Sequence, residues 1–171
     1  MNAFVLADPS RCIGCRACEI ACVDAHMDSD MGTAMERGLT FSPRLSVVRE
    51  SGVTAPIQCR QCEDAPCAAV CPSGAITFNG RSVVIDAEQC FGCKACLAAC
   101  SVGAMQVGII NGERNVPVAH KCDLCAGHRE QPACVSVCPA GALRVFSSES
   151  LQQLTASRRR ENARRVAFEH N

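Results

Sequence analysis

The chain has 171 residues with 17 basic and 17 acidic side chains, a formal balance of zero that gives no overall attraction to nucleic acid or anionic lipid. It has no Trp, no Tyr and only six Phe against 16 cysteines, which excludes a large aromatic core and points to disulfides or metal clusters as the staples. No stretch offers the roughly 18 uninterrupted apolar residues of a membrane helix, and "MNAFVLADPSRC" lacks a basic n-region before a long apolar run, so the expectation is a protein with no membrane anchor in the reducing cytoplasm.

Taken in chain order, "AFVLAD" fits an opening strand, followed by a first cysteine group, Cys12, Cys15, Cys18 and Cys22. The following "VDAHMDSDMG" begins an insertion expected to be a helix-and-loop cap that ends in the strand "RLSVV". Within it, Met27, Met31 and Met35 recur every four residues, the spacing of one apolar stripe on a helix; core packing or a partner contact explains it better than heme ligation. The second group is Cys59, Cys62, Cys67 and Cys71, with Glu63 and Asp64 in its longest gap read as a solvated loop near a docking surface rather than as catalytic acids. A hairpin follows, with "AITF" and "SVVID" flanking a two-residue turn at Asn79-Gly80. The third group is Cys90, Cys93, Cys96 and Cys100, and the fourth Cys122, Cys125, Cys134 and Cys138.

An internal repeat runs through the last three groups. "CPSGAITF", "CSVGAMQV" and "CPAGALRV" each carry a cysteine, a Gly-Ala pair and an alternating apolar run, so each unit reads as cysteine loop, short helical turn ("CAAVC", "CLAAC") and strand. The tail, "SSESLQQLTASRRRENARRVAFEHN", has no Gly or Pro and is expected to be a helix capped by Ser148 or Ser150. Its apolar anchors are Leu151, Leu154 and Val166, and Arg158, Arg159, Arg160, Arg164 and Arg165 make it strongly basic. Such a charge run serves either as a solvated helix or as a docking arm whose arginines meet carboxylates on a neighbor. If the neighbor is another copy of the same complex, the contact is head-to-tail and allows self-association into an open-ended chain.

The spacing of the cysteines carries the chemistry. In Cys-x2-Cys-x2-Cys-x3-Cys-Pro, three thiolates wrap one cubane and the fourth, carried away on a helix, binds the other cluster, so Cys22 is expected on a different cluster from Cys12, Cys15 and Cys18. Groups one and three match this spacing but have Val23 and Ser101 where the motif has proline, whereas groups two and four keep Pro72 and Pro139 and lengthen the third gap. Zinc sites prefer paired knuckles, which close runs of three cysteines do not resemble. Gly14 and Gly92 let backbone amides approach the sulfurs, and Arg16, Lys94 and Lys121 are nearby charges able to tune a potential. His26, His120, His128 and His170 have no spacing that marks a metal set, and read as surface or supporting residues, with His120 beside Lys121 and Cys122 the best supporting candidate. There is no heme-attachment motif, dinucleotide fingerprint, P-loop or acid-base constellation, so the chain is expected to move electrons and to have no catalytic site of its own.

The stretches "CIGCRACEIAC", "CRQCEDAPCAAVCP", "CFGCKACLAAC" and "KCDLC" with "PACVSVCPAGAL" resemble the four-cluster ferredoxin-like subunits of molybdenum- and tungsten-pterin oxidoreductases over roughly residues 1–146. The resemblance is greatest to short soluble members that serve tungsten aldehyde oxidoreductases and formate dehydrogenases of the formate-hydrogenlyase type. It implies four 4Fe-4S clusters and an α+β fold of two nested ferredoxin-like modules plus a C-terminal helical arm. One module comprises residues 1–22 and 111–146, the other residues 53–110, with the cap at 23–52 and the arm at 147–171. The ligand sets it implies are Cys12, Cys15, Cys18 and Cys138 for cluster 1, and Cys122, Cys125, Cys134 and Cys22 for cluster 2. Cluster 3 takes Cys59, Cys62, Cys67 and Cys100, and cluster 4 takes Cys90, Cys93, Cys96 and Cys71. Spacing alone equally permits pairing between neighboring groups. The implied role is a relay between a tungsten- or molybdenum-pterin subunit oxidizing an aldehyde or formate and an acceptor subunit with flavin (FAD/NAD) or hydrogenase clusters. A free polyferredoxin shuttle and an assembly factor are the alternatives.

Overall fold

A computed structural model of the chain describes residues 1–27, 29–36, 40–109 and 116–169. Among the described residues it is a small α+β fold of four two-stranded antiparallel sheets, joined by short helices and cysteine loops and followed by one long helix. The first strand, β1 (Phe4–Ala7), pairs not with its sequence neighbor but with β8 (Leu143–Phe146), in the register Phe4 to Phe146 and Ala7 to Leu143. The rings of Phe4 and Phe146 stack with centroids 5.7 Å apart, closing the outer end of the ladder.

After the first cysteine loop, α1 (Ala17–Asp24) carries Cys18 and Cys22 into the core. Its position is fixed by Glu19, which pairs with Arg16 at 3.0 Å and accepts the Val47 amide at 2.6 Å. The cap contains α2 (Met31–Glu36), started by Asp30, whose carboxylate accepts the Thr33 amide at 3.0 Å. Met27 lies outside both helices, so the methionines do not form the single-helix stripe that their spacing predicts; the side chain of Met35 lies outside the described residues. The chain then forms a hairpin of β2 (Leu45–Glu50) and β3 (Val53–Gln58), turned at Ser51 and Gly52, both with positive φ.

The repeat units appear as read from the sequence. Helical turns α3 (Pro66–Ala69), α4 (Ala95–Ala99) and α5 (Ala133–Ser136) each lead through a Gly-Ala pair into a strand: β4 (Ile76–Phe78), β6 (Gln106–Gly108) and β8. In all three, the glycine (Gly74, Gly103, Gly141) has φ of 55 to 67° and donates its amide to the carbonyl of the preceding cysteine (Cys71, Cys100, Cys138) at 3.1–3.3 Å. The hairpin of β4 with β5 (Val83–Ile85) forms, but its connection is four residues, 79–82, rather than two. Asn79 is the reason: its side-chain oxygen accepts the amides of Arg81 and Ser82 at 3.0 and 2.8 Å, making a wider turn. β7 (Val118–His120) pairs with β6.

Cysteines replace the missing aromatic core. The largest buried cluster joins Val5, Leu45, Leu124 and Leu143 to Cys18, Cys22, Cys59, Cys122 and Cys134, and a second joins Ile76, Val83, Met105 and Ala119 to Cys96. The last element, α6 (Ser148–Glu169), is capped by Ser147 rather than Ser148: its hydroxyl accepts the Ser150 amide at 3.2 Å, while Ser150 returns its hydroxyl oxygen to the Ser147 amide at 2.7 Å. Leu151 and Leu154 are half-buried, whereas Arg158, Arg159, Arg160, Arg164 and Arg165 are exposed and Val166 is 56% exposed. No helix among the described residues is long and apolar enough to cross a membrane.

Candidate metal centers

All sixteen cysteines are free thiols, so disulfides do not hold the fold. The loop of each group bends through left-handed backbone. In groups one and three it uses Gly14 (φ 70°) with Arg16 (62°) and Gly92 (72°) with Lys94 (68°), and in groups two and four Gln61 (52°) and Leu124 (62°) take the glycine's place. Gly92 has a second reason to lack a side chain, because a Cβ there would stand 2.4 Å from the Pro117 carbonyl oxygen.

Three cavities lie under these loops. One collects Cys12, Cys15, Cys18 and, from the far end of the chain, Cys138; a second collects Cys59, Cys62, Cys67 and Cys100; a third collects Cys71, Cys90, Cys93 and Cys96. The remaining four thiols are mutual neighbors. Burial pushes the Cys22 thiol up to about 11, with Cys125 adding to the rise, and burial pushes Cys122 up to about 12, with Cys22 adding. Burial also raises Cys134, which is affected by Cys122, Cys22 and Cys125. The four groups are in turn adjacent, since Cys134 also feels Cys18, Cys122 feels Cys59, and Cys96 feels Cys67.

These buried thiols suit a metal cluster and little else. Each is costly to leave as an isolated thiolate in the interior, yet backbone amides already point at several sulfurs: Arg44 at Cys22 (3.3 Å), Gln61 at Cys59 (3.4 Å), Ala104 at Cys100 (3.3 Å), Ala119 at Cys90 (3.3 Å) and Ala142 at Cys138 (3.2 Å). Of the charges expected to tune them, Lys121 is buried beside the second cavity, where its charge works to lower Cys67 against the larger effect of burial. Its ammonium donates to the Val83 carbonyl and, at 3.2 Å, to the Cys122 carbonyl. Arg16 and Lys94 line the first and third cavities.

Several working residues gave no sequence signal. Gln61 is buried between the groups, donating to the Cys122 carbonyl at 2.7 Å and accepting the Val83 amide at 2.9 Å. Asn2 donates to the carbonyls of Gln61 (3.0 Å) and Cys62 (3.1 Å), and Glu63 is more than a solvated carboxylate because it accepts the Asn2 amide at 2.6 Å. Asp123 holds Arg44, and His120, buried at 4% exposure, meets Ser42 Oγ at 2.8 Å. His26 is likewise buried rather than on the surface, and it meets Asp123 and His128. His170 lies outside the described residues.

Comparison with known proteins agrees with this chemistry. The family described as "4Fe-4S dicluster domain" matches residues 51–148, which contain the second, third and fourth groups. Electron transport protein HydN of Escherichia coli K12 is 42% identical over 95% of this chain and 98% of its own length. Hydrogenase-4 component A of the same organism is 34% identical over 94% and 90%, and an iron-sulfur protein of Rhodospirillum rubrum is 38% identical over 99% and 93%. With thiol sets, fold and relatives in agreement, the chain belongs to the 4Fe-4S dicluster, ferredoxin-like family of electron-transport proteins.

Proposed function

We propose that the chain is the four-cluster relay subunit of a pterin-dependent oxidoreductase complex. The observation that carries this is the convergence of sixteen free thiols into four neighboring sets of four. Cys12, Cys15, Cys18 and Cys138 hold the first 4Fe-4S cluster; Cys22, Cys122, Cys125 and Cys134 the second; Cys59, Cys62, Cys67 and Cys100 the third; and Cys71, Cys90, Cys93 and Cys96 the fourth. Motifs one and four thus form one ferredoxin-like module and motifs two and three the other. Each cluster, when bound, supplies one-electron chemistry. The chain's own part is to align the sets in a single file, to wrap the sulfurs in amide donors, and to keep water from the second set, whose four cysteines are all buried.

The two outer sets are where electrons enter and leave. Their loops carry exposed apolar residues directly after the first cysteine, Ile13 (65% exposed) and Phe91 (60%), and their second cysteines, Cys15 and Cys93, are exposed. Exposed apolar groups beside a redox center are suited to contact with a partner protein. One partner is the tungsten- or molybdenum-pterin subunit that oxidizes an aldehyde or formate, and the other is an acceptor with flavin or hydrogenase clusters. The likeness to hydrogenase-4 component A favors a hydrogenase-type acceptor as a second reading beside the aldehyde oxidoreductase. The basic, exposed part of α6 is the docking arm, either to a subunit or to another copy of the complex.

Anaerobic affinity purification tests the proposal. The expected eluate contains the chain in stoichiometric complex with a pterin protein, with tungsten or molybdenum bound and about sixteen iron atoms on each relay chain. A chain that elutes alone with clusters intact is a free shuttle, and one that gives up its iron to an apoenzyme is an assembly factor; either result overturns the relay reading.

A further inference from the structure

The end of α1 and the loop of the fourth cysteine group meet in a cluster that uses no cysteine. His26, Asp123 and His128 each bring one ligand atom to a point where all lie within 4.8 Å of one another. His26 is 8% exposed and its two ring nitrogens have fixed neighbors: Nδ1 is 2.6 Å from the Cys22 carbonyl oxygen and Nε2 is 3.0 Å from Asp123 Oδ1. A carbonyl only accepts, so Nδ1 carries the proton and donates. The lone pair of a neutral ring then sits on Nε2 and faces a carboxylate oxygen, acceptor against acceptor, unless something positive lies between them.

The carboxylate is held for that role. Asp123 Oδ1 accepts the Cys125 amide at 3.0 Å and Oδ2 is paired with Arg44, which leaves Oδ1 turned toward the imidazoles. The His128 ring meets His26 edge-on, with centroids 4.7 Å apart. A single His–Asp pair requires only a proton between its members; a second imidazole brought to the same point is the arrangement of a metal. A histidine fixed through one nitrogen by a backbone carbonyl, with the other aimed at a common center, is also how imidazole ligands are oriented.

We propose that His26 Nε2, Asp123 Oδ1 and a ring nitrogen of His128 form a mononuclear site for a divalent transition cation of the zinc or ferrous type, separate from the sixteen cysteines. Two imidazoles and one carboxylate are a donor set for such ions, which accept bonds of about 2.0–2.2 Å and take water in the remaining position. His128 is exposed and is the ligand able to close on the ion. The bound cation ties the end of α1 to the motif-four loop, across 97 positions of sequence between His26 and Asp123.

Zinc binding to the anaerobically purified, cluster-loaded protein decides the matter. After a chelator wash that leaves iron in place, equilibrium dialysis against zinc should give saturable uptake of one ion per chain, unchanged iron, and a higher thermal midpoint. His128→Ala, a change at an exposed position, should keep its iron while binding zinc about ten-fold or more weakly and losing the rise in midpoint. No saturable uptake, uptake only as iron is lost, or equal binding by H128A overturns the site and leaves His26 and Asp123 as a proton-bridged pair.

Discussion

Gln61 and Cys122 are joined by a buried hydrogen bond of 2.7 Å, from the side chain of one cysteine loop to the backbone of another. The same amide group accepts the Val83 N–H at 2.9 Å, so one side chain locks together the second motif, the fourth motif and the β4–β5 hairpin. Gln61→Leu keeps the volume but strands the Val83 amide in the interior and leaves the Cys122 carbonyl with only the longer bond from Lys121, at a cost of about 2–4 kcal/mol. Thermal scans of the cluster-loaded protein at a fixed rate should show a midpoint lowered by roughly 5–15 °C. An unchanged midpoint would mean that these bonds are dispensable.

The assignment of Cys22 is tested by counting clusters. Under the proposed ligand sets, Cys12→Ala and Cys22→Ala each damage a different cluster. Mössbauer spectra should lose one intact four-iron signal in each variant and two in the double variant. If both cysteines served one cluster, the double variant would lose no more than either single one.

At Gly92 an added methyl group would stand 2.4 Å from the Pro117 carbonyl oxygen, and the backbone is left-handed at φ 72°. Gly92→Ala therefore forces the loop of Cys90 and Cys93 away from the segment that delivers the Ala119 amide to Cys90. The variant should be destabilized by about 2 kcal/mol or more and should lose the cluster of the third cavity selectively. Gly74→Ala is the comparison, since its backbone is also left-handed but nothing lies within 4 Å of the added atom. Equal iron in the two variants would remove the steric argument.

A chain ending at Ser150 lacks the exposed arginines but none of the cysteines. Its iron content and absorption should match those of the full chain, while light scattering of the purified complex should report a smaller particle. A particle of unchanged size would show that α6 is only a solvated helix.

The repeat was legible because cysteine, Gly-Ala and alternating apolar residues are local signals: Gly103 turns where the sequence places it, and Gln106–Gly108 follow as a strand. The residues that join the units were not legible. Asn2 finds Gln61 across 59 positions and His26 finds Asp123 across 97, and neither pair has any pattern along the chain. Gln61 and Leu124 were hidden for a different reason, because they adopt a backbone shape for which glycine is the usual marker. The width of the 79–82 turn was missed because Asn-Gly signals a tight turn, while the Asn79 side chain bonds to later amides instead.

The pairing of β1 with β8 also sets a timetable for synthesis. Phe4–Ala7 emerge from the ribosome well before their strand partner, Leu143–Phe146, which is nearly the last part of the cysteine-bearing core to be made. Until then the nascent chain carries an unpaired strand and the open loop of Cys12, Cys15 and Cys18, whereas the hairpins β2–β3 and β4–β5 close within a few residues of being translated. The two central hairpins are thus able to mature early, while the β1 strand and the cysteine loop after it stay exposed for longer to oxidants and stray metal ions.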